Sequence, residues 1–410
     1  MHNWAEHGKL HLKLIDHIKV LLLLVIVFFC LFEYVLQFQS NTFKEFENVV
    51  LQTQRTLVIF LAIWCGCFLL LTYSLNDLPL LGLLLIAVAV YFIDFAICWR
   101  DLDAIVFLAG VTMGKGTNFL LKMEGGKQKS GNFIVGLVVL LFFSSWWHLD
   151  MAGTYHGPRW MGLWNNPNVY GMFMGLGLLI AIALLAQRQK EEFRMKKLLP
   201  VTLLVSAGMM VVCLVFSYSR GAWLGTAVGL LYLAKAHGKF NCKHILPGIF
   251  VVTTIVALFW NVTPDNAPWF LKRLDLSRPS AQHRVSAWRG ALQMMWDYPL
   301  GVGWNQAVGT YEKKYSPPEG GAAAITTNDY LMLGTQLGLP ALLCFIAYIY
   351  LKFKAKAADS LQVACRAGAL VLLVAFWFDG GLFNLPTAVV FWILLELGSA
   401  SPRSLAPTKV

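Results

Sequence analysis

The residues of this chain that are best suited to chemistry lie in a long polar stretch at 261–329. Arg284 and Trp288 are four residues apart in R-V-S-A-W-R-G-A-L-Q-M-M-W, so a helix would place both on one face. His283 precedes this pair and Arg289 follows it. A guanidinium offers a planar fork of donors that matches a phosphate. Basic and aromatic side chains together suit a ligand that contains both phosphate and sugar.

Another arginine, Arg220, lies almost inside apolar sequence, in F-S-Y-S-R-G-A-W (216–223). An arginine at membrane depth costs about 2.5–3.5 kcal/mol on insertion scales and is seldom kept without a partner. One interpretation is that Arg220 reaches to the lipid headgroups. The other is that it forms an anion site, for which its fork of donors is suited.

A further group of polar and aromatic residues lies in the segment 148–168, H-L-D-M-A-G-T-Y-H-G-P-R-W-M-G-L-W-N-N-P-N. Tyr155, Arg159, Trp164 and Asn168 are its candidate substrate-lining residues. Two interpretations stay open. These residues form a belt of Trp and Tyr at the membrane surface, or they contribute to substrate binding.

The sequence contains no motif of an ordinary hydrolase, a metal site or a phosphate-binding loop. G-x-S-x-G, H-E-x-x-H, paired-cysteine zinc spacings and G-x-x-x-x-G-K are all missing. The eight cysteines do not indicate a disulfide framework. We therefore expect neither a metal nor another cofactor.

These residues are set among apolar runs that are long enough to cross a bilayer. Hydrophobic residues make up 58% of the 410 residues, charged residues make up 13%, and the mean hydropathy is +0.61. A membrane-spanning helix needs about 20 apolar residues. The runs lie at 17–38, 56–74, 78–98, 103–121, 133–148, 168–186, 198–217, 221–236, 245–260, 329–351, 363–379 and 385–399. We predict an all-α polytopic membrane protein with about 12 transmembrane helices and one large helical loop.

The first four runs contain few ionisable residues beyond Asp94 and Lys115. This pattern predicts a lipid-facing scaffold with no part in the site.

Positive charge indicates the orientation, because Lys and Arg accumulate in cytoplasmic loops. With the N-terminus inside, most of the 33 Lys and Arg residues lie on the cytoplasmic side. Both termini are then cytoplasmic and the large loop is external. The predicted organisation is helices 1–9 in 1–260, a catalytic loop in 261–328, and helices 10–12 with a cytoplasmic tail in 329–410. The same bias accounts for the net charge of +11, so no nucleic-acid partner is expected.

Taken in order, five short motifs resemble the O-antigen ligase and O-antigen polymerase superfamily over about residues 130–350. They are W-N-N-P-N (164–168), S-R-G-A-W (219–223), R-x-x-x-W (284–288), D-Y-P-L-G-V-G (297–303) and T-N-D-Y-L-x-x-x-x-x-L-G-L-P (327–340). The resemblance implies an all-helical fold with a large periplasmic loop. It also implies transfer of a glycan, without a metal, from undecaprenyl pyrophosphate at the external face of the bacterial inner membrane. Arg220 and Arg284 match the family arginines that hold the pyrophosphate.

The chain departs from this family at one position. The family has His-Asn before the tenth span, where the His is the candidate base that activates the acceptor hydroxyl, and this chain has Thr327-Asn328. Threonine has no useful pKa near neutrality and cannot replace the base. Asp329, Glu319 and His283 are the nearest substitutes, and we favour Asp329. Alternatively, catalysis depends on arginine stabilisation of the leaving group, or the chain is no longer an active ligase.

The leading hypothesis that this resemblance implies is an inverting, metal-independent glycosyltransferase that uses a lipid A-core sugar as the acceptor. A polymerase or a protein O-oligosaccharyltransferase would use the same chemistry. A lipid-linked glycan transporter belongs to a different class. It should have inverted halves and ionisable residues at mid-membrane, whereas the charged residues of this sequence are expected to gather at the external face. The predicted catalytic residues are Arg220, Arg284, Thr327, Asn328 and Asp329, and the predicted substrate-binding residues are Tyr155, Arg159, Trp164, Asn168, His283, Trp288 and Arg289.

Overall fold

The structure, a computed structural model, describes residues 61, 64, 77–94, 102–123, 127–146, 159–164, 166–188, 198–237, 279–316 and 322–399. All of them belong to one compact unit, 57–410. The predicted spans at 17–38 and 245–260, and most of the one at 56–74, lie outside the described residues. So do Tyr155 and Glu319.

The described part of the chain is helical and contains no strand. Its α-helices are α1 (Leu78–Asp94), α2 (Leu102–Met123), α3 (Lys127–Trp146), α4 (Pro167–Arg188), α5 (Leu198–Phe216), α6 (Arg220–His237), α7 (Pro279–Asp297), α8 (Gln306–Lys314), α9 (Asp329–Lys354), α10 (Ser360–Ala375) and α11 (Leu385–Ser399). Short 3-10 helices lie at Gly162–Trp164 and Ala322–Thr327. Every predicted span within the described residues coincides with a helix. A helix satisfies its own backbone hydrogen bonds, as an apolar surrounding requires.

Three of these segments are long and apolar enough to cross a membrane: Asp103–Leu121, Pro167–Ala186 and Asp329–Lys354. Shorter apolar helices accompany them at Leu78–Val90, Ser130–Ser144, Pro200–Phe216, Ser360–Ala375 and Leu385–Ser399. The all-helical membrane class is therefore supported. The total of about 12 spans and the side on which the large loop lies stay predictions.

Helix α2 lies inside the bundle, against α11. The two backbones approach so closely at Gly114 that a Cβ there would lie 2.7 Å from the carbonyl oxygen of Trp392. Small residues permit such approaches between membrane helices. Phe107 and Leu108 are fully buried. The expectation of a lipid-facing scaffold is therefore wrong for this helix, because an apolar sequence fits a neighbouring apolar helix as well as it fits lipid.

Helix α9 is interrupted at Gly338, where φ is +87° and ψ is 172°. Pro340 follows and has no N–H, so the carbonyl oxygen of Gln336 loses its helical donor. A buried carbonyl without a donor is costly in an apolar surrounding. The broken turn of α9 therefore needs hydrogen-bond partners from elsewhere in the chain.

The segment after α7 supplies these partners, and we call the arrangement the backbone clasp (298–303 with 335–339). Its three hydrogen bonds run from Val302 N to Thr335 O (2.9 Å), from Gly303 N to Gln336 O (3.0 Å) and from Leu339 N to Pro299 O (2.9 Å). At Gly301 φ is +86°, and a Cβ there would lie 2.3 Å from the Gln336 carbonyl oxygen. The motifs D-Y-P-L-G-V-G and L-G-L-P are thus the two halves of one contact.

Four charged side chains form a closed ring near the C-terminal end of α9, and we call them the charge quartet (Asp77, Lys115, Lys352 and Glu396). Lys115 lies 2.7 Å from Asp77 and 3.2 Å from Glu396, and Lys352 lies 3.1 Å from Asp77 and 3.3 Å from Glu396. All four are buried, and Tyr348 also donates to Glu396. These four charged residues are buried inside the bundle, which corrects the expectation that the charged residues gather at the external face.

Candidate active site

Arg284 projects from α7 towards a carboxylate that the sequence motifs did not include. Its Nη2 lies 3.3 Å from Oδ1 of Asp379. The Arg284 side chain is 27% exposed and that of Asp379 is 7% exposed. The helix is held in place by an apolar cluster that includes Ala291 and Met294 of α7 and Leu331 of α9. Arg284 is therefore a half-exposed cation paired with a nearly buried anion.

Asp379 lies in the turn between α10 and α11, beside the start of α6. Its Oδ2 accepts a hydrogen bond from Ser219 Oγ at 3.2 Å. A Cβ on Gly221 would lie 2.8 Å from the same oxygen, so the backbone of α6 begins against this carboxylate. Arg220 is the first residue of that helix. The structure therefore brings the Arg220 segment and Arg284 together at Asp379. The N-terminal end of α6 carries a partial positive charge, which favours the Asp379 carboxylate at this position.

Sequence reasoning missed Asp379, although a signal was present. The residue is a lone carboxylate at the end of an apolar run and precedes Gly380 and Gly381. An ionisable residue at such a position is costly and marks a functional candidate. Its partner Arg284 is 95 residues away, and no local spacing connects the two.

The segment 327–329 forms the junction between the second 3-10 helix and α9. Asn328 is fully buried and caps α9, since its side chain accepts a hydrogen bond from Leu331 N at 3.1 Å. Within the described residues its Nδ2 has no hydrogen-bond partner. Thr327 is half-exposed.

The Asp329 carboxylate is directed into the protein. It is 2% exposed, and its Oδ2 accepts hydrogen bonds from the backbone N–H groups of Gly381 (2.6 Å) and Leu382 (2.7 Å). Its own N–H donates to the Phe376 carbonyl at 2.9 Å. Asp329 therefore ties the start of α9 to the turn that carries Asp379.

Of the other predicted residues of α7, Trp288 lies on the same side as Arg284 and Arg289 does not. Trp288 is near Trp377 and Phe378, with ring centroids 6.0 and 6.5 Å apart, so it packs beside the residues that lead to Asp379. Arg289 is exposed. His283 lies in α7, and its side chain is outside the described part of the structure.

Arg159 and Asn168 form a support behind the Arg220 segment. Arg159 is buried, with its Nε donating to the Ser217 carbonyl at 2.9 Å and its Nη2 donating to Asn168 Oδ1 at 2.5 Å. Trp164 packs on Phe173 with ring centroids 4.3 Å apart. These contacts favour a role in holding the turn before Arg220.

Within the described residues, no three or more His, Cys, Asp or Glu side chains are grouped to hold a metal ion. The site defined by Arg284, Asp379 and Ser219 is built from charged and hydroxyl groups alone.

The fold and this site define a helical membrane protein with a buried carboxylate between two arginine-bearing segments. The family model described as O-Antigen ligase matches residues 205–346, which extend from α5 into α9 and include Arg220, Arg284 and 327–329. This match supports the resemblance to the O-antigen ligase and polymerase superfamily that the motifs of this chain carry. Asp379 lies beyond the matched residues. A comparison with curated proteins gives no match.

Proposed function

We propose that this chain is a glycosyltransferase that moves a glycan from undecaprenyl pyrophosphate to a lipid A-core sugar. The reaction is inverting and independent of metal, and it takes place at the periplasmic face of the bacterial inner membrane. The observation that carries this proposal is the ion pair between Arg284 and Asp379 at the start of α6. It combines an anion-binding group and a carboxylate in one place.

The arginines bind the donor in this proposal. Arg220 and Arg284 each offer a fork of donors to the pyrophosphate, whose negative charge grows as it leaves. The partial exposure of Arg284 leaves its guanidinium accessible to a lipid-linked substrate. When the pyrophosphate binds Arg284, it competes with Asp379 for that guanidinium.

This competition provides a base where the family histidine is missing. The acceptor hydroxyl oxygen forms a bond to the anomeric carbon, and the bond from that carbon to the pyrophosphate oxygen breaks. The hydroxyl proton passes to the Asp379 carboxylate, and the electron pair leaves with the pyrophosphate. A carboxylate that loses its arginine partner only when the donor is bound is available at the right step.

Asp379 is a better candidate for the base than Asp329. One Asp329 oxygen already accepts two backbone hydrogen bonds, whereas the Asp379 carboxylate pairs with the partly exposed Arg284, which a bound pyrophosphate would draw away. We assign Asp329 a positioning role, because it holds the turn that carries Asp379. His283 and Glu319 stay alternative candidates for the base. Another alternative is a reaction without a base, in which the arginines alone stabilise the leaving group.

A second candidate function is favoured by one observation. The charge quartet places ionisable groups inside the bundle, which is typical of transport proteins. A transporter of lipid-linked glycans would move its substrate between leaflets without making a new glycosidic bond. A polymerase or a protein O-oligosaccharyltransferase would instead make that bond on a different acceptor.

The test is a transfer assay in vesicles that contain the purified protein, the lipid-linked glycan and the acceptor. Arg284→Lys and Arg220→Lys keep the charge but lose the fork, so each should slow transfer about tenfold to a hundredfold, since a charge-assisted hydrogen bond contributes about 1.5–3 kcal/mol. Thermal stability in detergent is the control for folding. Transfer at the normal rate by both variants would contradict the assigned role. Movement of the glycan lipid between leaflets without a new bond would favour the transporter.

A further inference from the structure

The helix that carries Arg284 has a second apolar face, which is largely exposed in the described part of the structure. Val285, Leu292 and Trp296 lie seven and four residues apart, so they share one side of α7. Trp296 is 82% exposed, and Leu300, just beyond the helix, is 74% exposed. The opposite side, which includes Ala291, is buried. A helix with one apolar side packed and another exposed has a surface that calls for an apolar partner.

This exposed face continues into the exposed side of α9. The backbone of Leu300 abuts Gly338, where a Cβ would lie 2.5 Å from the Leu300 carbonyl carbon. Residues 331–338 of α9 are buried, and exposure on this helix begins at Pro340. The exposed apolar residues that follow are Leu343, Ile346 and Tyr350. Since α9 is long and apolar enough to cross a membrane, this side of the helix is its lipid-facing side.

Helix length indicates the depth at which Leu300 lies. From Gly338 to Lys354, α9 rises roughly 24 Å at about 1.5 Å per residue, which is less than the thickness of about 30 Å of the hydrocarbon core. Lys354 is exposed and charged, so it lies at or beyond one boundary of that core. Gly338 is then close to the opposite boundary, and the backbone clasp fixes Leu300 at the same level.

Arg289, the charged residue within this face, suits a position at the boundary of the hydrocarbon core. Arg289 is exposed and lies four residues after Val285 and three before Leu292. A long cationic side chain among apolar residues can reach the lipid phosphates while its methylene groups stay in the apolar layer. Tryptophan is enriched at the same depth, which suits Trp296.

We propose that the face formed by Val285, Arg289, Leu292, Trp296 and Leu300 is a lipid-binding surface. It lies in the headgroup boundary of the bilayer at the end of the bundle that carries the Arg284 and Asp379 pair. Arg284, on a neighbouring face of the same helix, is thereby held close to the depth of lipid phosphates. This surface does not depend on the proposed reaction, because a depth measurement does not require glycan transfer.

Spin labels at paired positions test this surface. Leu292→Cys and Trp296→Cys are labelled in the full chain in vesicles of phosphatidylethanolamine and phosphatidylglycerol. The matched controls are Glu312→Cys and Lys313→Cys on α8, which are also exposed but polar and lie outside the proposed face. All four side chains are at the surface, so the substitutions should not disturb folding. Unsubstituted protein, treated with the same label, gives the background from the native cysteines.

Collision with oxygen, which concentrates in lipid, is compared with collision with a water-soluble nickel chelate. We expect the ratio of oxygen to nickel accessibility to be several-fold higher at 292 and 296 than at 312 and 313. Equal ratios at all four positions would place the face in water and overturn the proposal. Shielding of 292 and 296 from both reagents would also overturn it, since the face would then be covered by protein, such as a second copy of this chain.

Discussion

At the scale of single residues, the proposed role of Asp379 depends on contacts with groups that are distant in the sequence. Arg284 pairs with one of its oxygens, and Ser219 donates to the other. A carboxylate with both contacts is oriented before any substrate arrives. The same contacts hold together α6, α7 and the α10–α11 turn, so the residue also has a structural effect that an experiment must separate from catalysis.

Replacement of Asp379 by Asn separates the two effects. Asn keeps the size of the side chain and can still accept a hydrogen bond from Ser219, but it cannot take up a proton. We expect Asp379→Asn to lower the transfer rate about a hundredfold or more, in the range that general-base catalysis contributes. The measurement is initial transfer rate at saturating donor in vesicles, together with the thermal unfolding midpoint.

Two further variants make this comparison decisive. Asp359→Asn is the control, because Asp359 caps α10 through Gln362 N at 2.9 Å and Asn is an equally good cap. Its transfer rate should match that of the unsubstituted protein. Asp329→Asn should keep most of the transfer rate, because its amide oxygen can still accept the hydrogen bonds from Gly381 N and Leu382 N. If Asp379→Asn were active and Asp329→Asn inactive but folded, Asp329 would be the base, as the sequence had suggested.

The sequence could predict the arginines of the candidate site but not the carboxylate beside them, Asp379. Arg220 and Arg284 stand out because each interrupts or follows apolar sequence and belongs to a short motif. Asp379 belongs to no such motif, and the residues around it read as the end of a span. The sequence predicts Asp329 at the start of a helix, where an aspartate can either cap the helix or act as a base. Only the contacts of its carboxylate with Gly381 and Leu382 distinguish the two.

At the scale of elements, the backbone clasp connects the polar loop to the membrane bundle. Hydropathy predicted α9 as a continuous span, since Gly338 and Pro340 are single residues in an apolar run. Hydropathy could not predict that the broken turn would bond to residues 299–303, because hydrogen bonds between backbones leave no periodic pattern in the side chains. The same limit applied to α2, where composition did not distinguish a buried helix from a lipid-facing one.

Gly338→Ala is the substitution that tests the clasp. Gly338 has a backbone conformation that essentially only Gly adopts, and any other residue there is strained by about 1–3 kcal/mol. The added Cβ would also lie 2.5 Å from the Pro299 carbonyl oxygen. We expect the bonds to 299–303 to break and the polar loop to become more susceptible to protease. Cleavage rate between α7 and α8 in detergent is the measurement.

Gly309→Ala is the matched control. Gly309 lies within α8, and a Cβ there would meet nothing within 4 Å. Removing a helix-interior glycine should stabilise α8 by about 0.5–1 kcal/mol and leave cleavage unchanged or slower. Equal cleavage rates for Gly338→Ala and the unsubstituted protein would show that the clasp does not hold the loop.

At the scale of the whole molecule, two polar centres lie along α9. The Arg284 and Asp379 pair is near its N-terminal end, and the charge quartet is near its C-terminal end. The quartet joins the residue before α1 with α2, α9 and α11, which are distant in sequence. Its four charges cancel, so the ring as a whole is neutral, whereas any three of them are not. Removal of one member therefore leaves an unpaired buried charge.

This alternation of charge predicts a specific pattern of stability. Lys115→Met or Glu396→Gln alone should each destabilise the fold by roughly 3–5 kcal/mol, the usual cost of breaking a buried ion pair. Gln at 396 keeps the size of the side chain and can still accept one of the two hydrogen bonds that Tyr348 and Asn118 donate to the carboxylate, so most of the loss reports the charge. The double variant keeps the Asp77 and Lys352 pair, which is neutral and 3.1 Å apart. We expect the double variant to lose clearly less stability than the two single variants lose together. Lys115 and Glu396 are each other's partners, so removing both leaves no unpaired charge. Unfolding midpoints in detergent for the unsubstituted protein, both single variants and the double variant give this coupling.

Lys354→Met serves as the control. That lysine is exposed, two residues from Lys352, so its replacement should change the midpoint little. Additive losses in the double variant would mean that the four groups act independently and that the ring does not hold these helices together.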